Sequence, residues 1–305
     1  MQKRSILHML DPMPNNSPFD INMAMDAGFE VLMPYSNVKL DSVYRLTQDT
    51  IFSRSPAGIK RTGIFIGGRD LGLAMDMLEA SHQAMVPPFE VSVFADPSGA
   101  FTTAAALVAC VEQALKIQHG KELKDCRVLV FGGTGPVGIA TGIIASLAGA
   151  DTALVDHLLL DSAMDVAKAF NRRFGCTLKG ECARTEEDKA TLIKEVDIIF
   201  CAAKAGIQVL SSEVLKAARN LKVVGDVNAV PPLGIEGIKR TDAGAPFANA
   251  VNAQGTVAVG ALTVGDVKYQ LQHKMLQLML TTDKPVYLDF REAFNKARDI
   301  LTEKK

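Results

Sequence analysis

Tryptophan is absent from the 305 residues, and aromatic side chains of all kinds make up only 6%. That argues against a surface that binds single-stranded nucleic acid, which stacks bases on a series of aromatic faces. An excess of either charge is missing too. The formal net charge is −1, so nothing in the bulk draws the chain to nucleic acid or to an acidic membrane, although a local patch can hide in a balanced total. Cysteine is sparse, at Cys110, Cys126, Cys176, Cys182 and Cys201. The odd number and the lack of any CxxC pair predict reduced thiols, not a disulfide framework or a zinc site. His8, His82, His119, His157 and His273 are scattered without HxH or HExxH spacing, so no metal site is expected. The opening MQKRSILHMLDPMP is broken by His8, Asp11 and Pro12 and is too short and polar for a secretion signal. No apolar run is expected to span a bilayer. These absences predict a soluble, cytoplasmic protein with neither nucleic acid nor membrane as partner.

What the chain does have is alternation. SILHML (5–10), VLMPY (31–35), TGIFIGG (62–68) and FEVSVFAD (89–96) read as strands. Between them SPFDINMAMDAGF (17–29), DSVYRLTQDTIFSR (41–54) and DLGLAMDMLEASHQAM (70–85) read as helices, the second amphipathic with helical period at least in its first half. That is the grammar of an α/β domain. PSGAFTTAAALVACVEQALKIQ (97–118) predicts a long helix able to lead into a second domain, and HGKELKD (119–125) a polar linker. A second alternating section follows, with strands in RVLVF (127–131), FGCTLKGE (174–181), VDIIFCAA (196–203) and LKVVGDVNAV (221–230). GTVAVGALTVG (255–265) reads as a strand and a tight turn. VKYQLQHKMLQLML (267–280) and DFREAFNKARDIL (289–301) read as amphipathic helices.

The chemistry begins at GTGPVG (133–138), which fits GxGxxG between an apolar strand and a helix of small residues, IATGIIASLAGA. Gly133 is expected to make the sharp turn, Gly135 to let backbone approach a pyrophosphate, and Gly138 to allow close helix packing. Thr134, Pro136 and Val137 complete the loop. The helix start offers N–H groups to phosphates. Asp156 ends the next strand, near the spacing of about 20 residues expected for an acid that binds the adenosine ribose. It predicts NAD over NADP, since a carboxylate repels a 2′-phosphate and no basic residue follows until Lys168. Asp156 also reads simply as a solvated strand end.

The apparatus for oxidising an alcohol is harder to find. That reaction needs a base for the hydroxyl proton. No YxxxK motif occurs, Tyr269 directly follows Lys268, and His273 stands alone on an amphipathic helix. The missing base points to a substrate that gives up hydride without losing a proton.

RSILHML (4–10), SPFD (17–20), LTQDTIFSR (46–54), RTGIFIGG (61–68), FADPSGAFTT (94–103), FGGTGPVG (131–138), DVNAVPPLGIEGI (226–238), VGALTVGDVKYQ (259–270) and LDFREA (288–293) run nearly end to end. Together they resemble the methylene-tetrahydromethanopterin dehydrogenases of one-carbon metabolism, especially the bacterial type that uses NAD or NADP. The resemblance implies hydride transfer from the methylene carbon of the pterin to the nicotinamide. It also implies two α/β domains with a cleft between them, the second a Rossmann-type parallel sheet. The substrate domain would be 1–105 plus 268–305, and the dinucleotide domain 106–267.

The resemblance implies a role for Lys268 in activity; on its own, Lys268 reads as a solvated lysine at the start of a helix just after a glycine turn. Asp20 reads either as a helix cap or, with Ser17 and Phe19, as part of a pterin pocket. Gly67 and Gly68 form a strand-end loop, and Asp70 reads as a helix cap. Ser98, Thr102 and Thr103 read as caps or as a binding surface. Ala202 and Ala203 leave room for cofactor at a strand end. Asp226 and Asn228 follow another strand, where open α/β sheets bind ligands, although an Asx-turn also accounts for Asn228.

Rival readings remain: the same chemistry on methylene-tetrahydrofolate, a dinucleotide-binding regulator without turnover, or a hydroxy-acid dehydrogenase relying on a base such as His273. A homo-oligomer is expected, with the apolar, glycine-rich 255–265 packing between subunits.

Overall fold

The computed structural model describes residues 3–303. The chain divides into two compact units, the first made of residues up to Thr102 with Tyr269–Lys296, the second of Thr103–Lys268 with the residues from Ala297 on.

In chain order the first unit supplies β1 (Ile6–Leu10), α1 (Pro18–Asp26), β2 (Val31–Tyr35), α2 (Leu40–Phe52), α3 (Pro56–Ile59), β3 (Thr62–Ile66), α4 (Leu71–Gln83) and β4 (Ser92–Ala95). The long helix α5 (Ala100–His119) leads into the second unit. There follow β5 (Arg127–Phe131), α6 (Pro136–Leu147), β6 (Asp151–Asp156), α7 (Leu160–Phe174), β7 (Lys179–Cys182), α8 (Glu186–Leu192), β8 (Ile198–Cys201), α9 (Ser212–Leu215), β9 (Val223–Asp226), β10 (Ala243–Pro246) and β11 (Val257–Val259). Last come α10 (Ala261–Thr281), β12 (Tyr287–Leu288) and α11 (Phe290–Glu303).

The first unit's sheet has the order β12-β4-β3-β1-β2, with every pair parallel. Parallel strands are covered on both faces, so central ones read as unbroken apolar runs. TGIFI and SVFA are buried at every position. Edge strand β2 is half exposed and holds Pro34, whose missing N–H suits an edge. Ser17 caps α1, accepting from the Asp20 amide at 3.4 Å, with Pro18 at the first helical position. Asp70 caps α4 through the Leu73 amide at 2.9 Å. On β3 a Cβ at Gly63 would stand 2.7 Å from Met279 Cε, so that glycine lets α10 lie close against the sheet.

The second unit's sheet runs β10-β11-β9-β8-β5-β6-β7. Only the β10–β11 pair is antiparallel. β5 leads by way of α6 to β6 on one side, and the chain later returns to β8 on the other. The strand order therefore reverses at β5, the point where doubly wound sheets bind ligands. One face buries Leu129, Phe131, Val155, Ile199, Val224 and Ala258 under the segment 210–253. At β9 a Cβ on Gly225 would come within 2.8 Å of Val111 and 2.9 Å of Leu107, so this glycine admits α5.

Three expectations need correction. The stretch Pro97–His119 is long and apolar enough by length and composition to cross a membrane, whereas no such run is expected from the sequence. In the fold 72% of its most apolar window is buried, as in a core helix that needs apolar residues all round. Second, no tight turn follows the strand within 255–265. β11 ends at Val259 and α10 starts at Ala261, so Gly265 lies inside a helix. Third, Val257, Ala258 and Val259 are at most 4% exposed between β10 and β9. They pack within the sheet, not between subunits.

Candidate dinucleotide and pterin sites

The glycine loop lies at the carboxyl end of β5, where the strand order reverses. Gly132 makes the turn, with φ of +71°, and a Cβ there would meet the Ala202 and Ala203 backbone at 2.6–2.7 Å. The sequence pattern assigns this task to Gly133. Gly133 instead lies flat against β6, where a Cβ would stand 2.7 Å from the Val130 carbonyl and 2.8 Å from Leu154 Cα. Gly138 packs its Cα against the Gly132 carbonyl with no room for a side chain. A methyl group added at Gly135 would find its nearest neighbour, the Gly132 carbonyl, 3.5 Å away, so the loop is open at that point.

Gly135 is the N-cap of α6 and Pro136 its first residue, and no side chain caps the helix. Among the described residues the amides of Val137 and Gly138 have no acceptor. Open amides at the start of a twelve-residue helix form an anion site. Beside them is a cavity of about 500 Å³ lined by Gly132, Thr134, Gly135, Asp156, Ala202 and Ala203, with apolar Leu158, Ile207 and Val209. This volume lies within the range of about 300–1,000 Å³ typical of small-molecule pockets. Open amides, a loop that no Cβ fills and an apolar slot fit a dinucleotide.

Asp156 ends β6 and is 8% exposed. Its Oδ1 accepts the amides of Leu158 at 2.7 Å and Leu159 at 2.9 Å, and its Oδ2 accepts the Thr134 hydroxyl at 2.9 Å. Burial pushes its pKa up, but these bonds outweigh burial and hold it below the usual value. Asp226 and Asn228 are not among the cavity's lining residues. Asp226 is 1% exposed and accepts the amides of Asn228 at 2.8 Å and Ile235 at 3.1 Å. Burial outweighs those bonds and raises its pKa. Asn228 accepts from the Val230 and Gly206 amides and donates to the Pro232 carbonyl. Both side chains brace the 226–235 loop, and the Val230 bond is an Asx-turn.

In the first unit, the carboxyl ends of β1, β3 and β4 carry Asp11, Gly67 with Gly68, and Asp96. Asp11 is 5% exposed, accepts the Met13 amide at 2.8 Å, and has its pKa raised by burial. A Cβ at Gly67 would lie 2.6 Å from Asp11 Oδ2. Ser98, in the left-handed region at φ +53°, donates to the Gly68 carbonyl at 2.8 Å. Thr102 is fully buried, its hydroxyl donating to Asp96 Oδ2 at 2.6 Å, so it belongs to the frame and offers no open surface. Asp20 is 5% exposed and accepts from Gln272 Nε2 at 2.8 Å. Phe19 beside it is 48% exposed.

Lys268 is half-buried on α10, two turns inside the helix and not at its start. Thr103 is half-buried in the first turn of α5. His273 contacts the Asp26 carbonyl at 3.1 Å, an attachment to the end of α1. Sequence reasoning misses Gln272, which meets Asp20 across 252 positions with no local signal. It also misses Arg184 and Lys204 on the cavity wall, which arrive from segments far along the chain. Asp11 is visible as the carboxylate ending SILHML.

A family model described as "Methylene-tetrahydromethanopterin dehydrogenase, N-terminal" matches residues 18–98. The chain is 46% identical over 97% of its length, and 99% of the relative's, to the NAD(P)-dependent methylenetetrahydromethanopterin dehydrogenase of Methylorubrum extorquens. It is 30% identical, with the same coverage of both chains, to the bifunctional protein MdtA of that organism. Among solved structures, shikimate 5-dehydrogenase of Listeria monocytogenes superposes with a TM-score of 0.53 at 14% identity, covering 98% of this chain and 96% of that one. That last likeness is one of fold alone. The end-to-end relation at 46% identity settles the family: the chain belongs to the methylene-tetrahydromethanopterin dehydrogenases.

Proposed function

We propose that the chain oxidises methylene-tetrahydromethanopterin to the methenyl form in one-carbon metabolism, passing hydride to NAD or NADP. The observation that carries this reading is the identity to the Methylorubrum extorquens dehydrogenase over 97% of the chain. The bound dinucleotide supplies a hydride acceptor. The amides of Val137 and Gly138 hold its phosphates, and Ala202 and Ala203, lacking bulk, leave it room.

The substrate carbon bridges two nitrogens, and the charge left by hydride loss is shared between them. No hydroxyl proton has to leave, which agrees with the absence of a base motif from the sequence. The protein's task is to hold the donor carbon within about 3–3.5 Å of the acceptor and to keep water from the cation. Asp20, held by Gln272, offers a carboxylate to the pterin or to the developing positive charge. Ser17, Phe19, Gly67, Gly68, Ser98 and Thr103 belong to the same pterin-binding reading. Lys268 orients the pterin. A cytoplasmic location is part of this reading and is supported by five free cysteines. So is a homo-oligomer, supported by the exposed apolar run Leu158–Leu160 with Met164.

Steady-state oxidation of methylene-tetrahydromethanopterin, followed as reduced nicotinamide, tests the reading for wild type and Lys268→Ala. Turnover with a loss in the variant of about a hundredfold, the size of one lost electrostatic contact, supports both reaction and site. A wild type that binds dinucleotide and turns over methylene-tetrahydrofolate alone, or neither pterin, overturns it.

A further inference from the structure

Asp156 predicts a preference for NAD, yet the structure surrounds it in a way that points elsewhere. Among the described residues the hydrogen bonds to its carboxylate come from the amides of Leu158 and Leu159 and the Thr134 hydroxyl, and the His157 ring stands 4.0 Å from Oδ1. Asp156 is 8% exposed. The loop that holds it inward also holds a cation. The Leu158 carbonyl accepts Arg184 Nε at 2.8 Å, while the Leu158 amide binds Asp156. One residue thus fixes a carboxylate through its amide and a guanidinium through its carbonyl.

Arg184 lines the cavity, and its two terminal nitrogens donate to no acceptor among the described residues. The nearby carboxylate of Asp188 accepts the backbone amides of Arg184 and Thr185. A second cation, Lys204, lines the same cavity without an ion pair among the described residues. Lys189, by contrast, is paired with Glu186 at 2.6 Å. The Asp188 carboxylate also feels the Arg184 charge, but the terminal nitrogens of the fork remain open to the cavity, and a neutral ribose hydroxyl does not call for two cations on its wall. A phosphate does: planar guanidinium pairs match it bidentately, and these are the stronger class of hydrogen bond.

Resting on the dinucleotide reading above, we propose that this cavity accepts a dinucleotide phosphorylated on its adenosine ribose, with Arg184 and Lys204 as the residues that bind that phosphate. Asp156 then shapes the loop and does not reject the phosphate. The chain discriminates in favour of NADP and still admits NAD, because the rest of the cavity serves both.

The test is fragment binding, which needs no turnover. Calorimetric titration of the full chain with 2′,5′-ADP and with 5′-AMP gives a ratio of affinities. For wild type the expected ratio is about tenfold in favour of 2′,5′-ADP, one charge-assisted pair's worth, and it falls in 0.5 M salt as exposed charges are screened. Arg184→Ala brings the ratio close to one, Arg184→Lys keeps part of it, and Lys204→Ala lowers it by a smaller factor. A wild-type ratio near one overturns the proposal. If Arg184→Ala weakens both fragments alike, the loop itself has moved; Lys204→Ala touches no loop bond and then decides, an unchanged ratio overturning the proposal. Pterin turnover is read separately. A retained ratio without turnover removes the proposed activity and leaves this inference standing, whereas turnover with a ratio of one does the reverse.

Discussion

Two strand-to-helix junctions in this chain are built alike and finished differently. At the end of β4 the chain passes through Asp96 into α5; at the end of β5 it passes through glycines into α6. In the first, Asp96 accepts the amides of Phe101 at 2.9 Å and Thr102 at 3.1 Å, so the helix start is closed by the protein's own carboxylate. In the second, no side chain caps α6 and the Val137 and Gly138 amides stay open. A helix start has orphan donors whichever residue precedes it. What decides whether it becomes a fold element or an anion site is whether an acceptor lies within reach. Here the choice follows from one aspartate in ADPSGAFTT and its absence from FGGTGPVG.

The sharpest way to break the contrast is Gly138→Ala. The methyl group would run into the Gly132 carbonyl, and overpacking of that kind costs about 1–3 kcal/mol. Dinucleotide affinity should fall by roughly a hundredfold, the equivalent of about 2.8 kcal/mol, with the far-UV spectrum retained. Unchanged affinity in a titration would show that the open amides are not the anion site.

Asp96→Ala attacks the other junction. It strands two amides and removes the nearer acceptor of a buried hydroxyl, so chemical denaturation should show a loss of about 3 kcal/mol, a cap plus buried bonds to a charged group. Dinucleotide affinity should not follow it.

A smaller effect separates the two strand-end aspartates of the seven-stranded sheet. Burial holds the Asp226 pKa above its ordinary value of 3.8, so the folded state keeps that proton longer than the unfolded one. Its contribution is full below about pH 4 and declines as pH rises through the folded value. Asp156 is held below 3.8 and contributes oppositely: fully above about pH 4, with loss as pH falls through its lowered value. Stability measured from pH 3 to 7 should therefore change slope in opposite senses in Asp226→Asn and Asp156→Asn. Slopes that move together would mean the two carboxylates share one environment.

The smallest expected change is Thr134→Val, which removes one bond to Asp156. It should cost about 0.5–1.5 kcal/mol and raise the acid midpoint of unfolding slightly.

Much of this is legible in the sequence alone. The buried strands announce themselves as short apolar runs, and Ser17 and Asp70 as caps. The glycine loop is plain, but the pattern puts its turn one residue late. GGTG holds two candidate glycines, and only the crowding of Gly132 by the Ala202–Ala203 backbone distinguishes them. The start of α10 reads six residues late because glycines at 260 and 265 look like turn residues, whereas tertiary packing carries the helix through the second of them. The pairing of Gln272 with Asp20 and the approach of Arg184 to Leu158 have no local trace at all. Both are set by which segments the two sheets bring together.

Gly225, the gap in β9 that receives Leu107 and Val111, has a consequence for how the protein is made. The helix that needs this cover is synthesised about 100 residues earlier, and at translation rates of about 5–20 residues per second the wait is on the order of 5–20 seconds. Through that interval the nascent chain carries, outside the ribosome, a helix apolar enough to be taken for a membrane anchor. That face of the helix gains its cover only when β9 emerges.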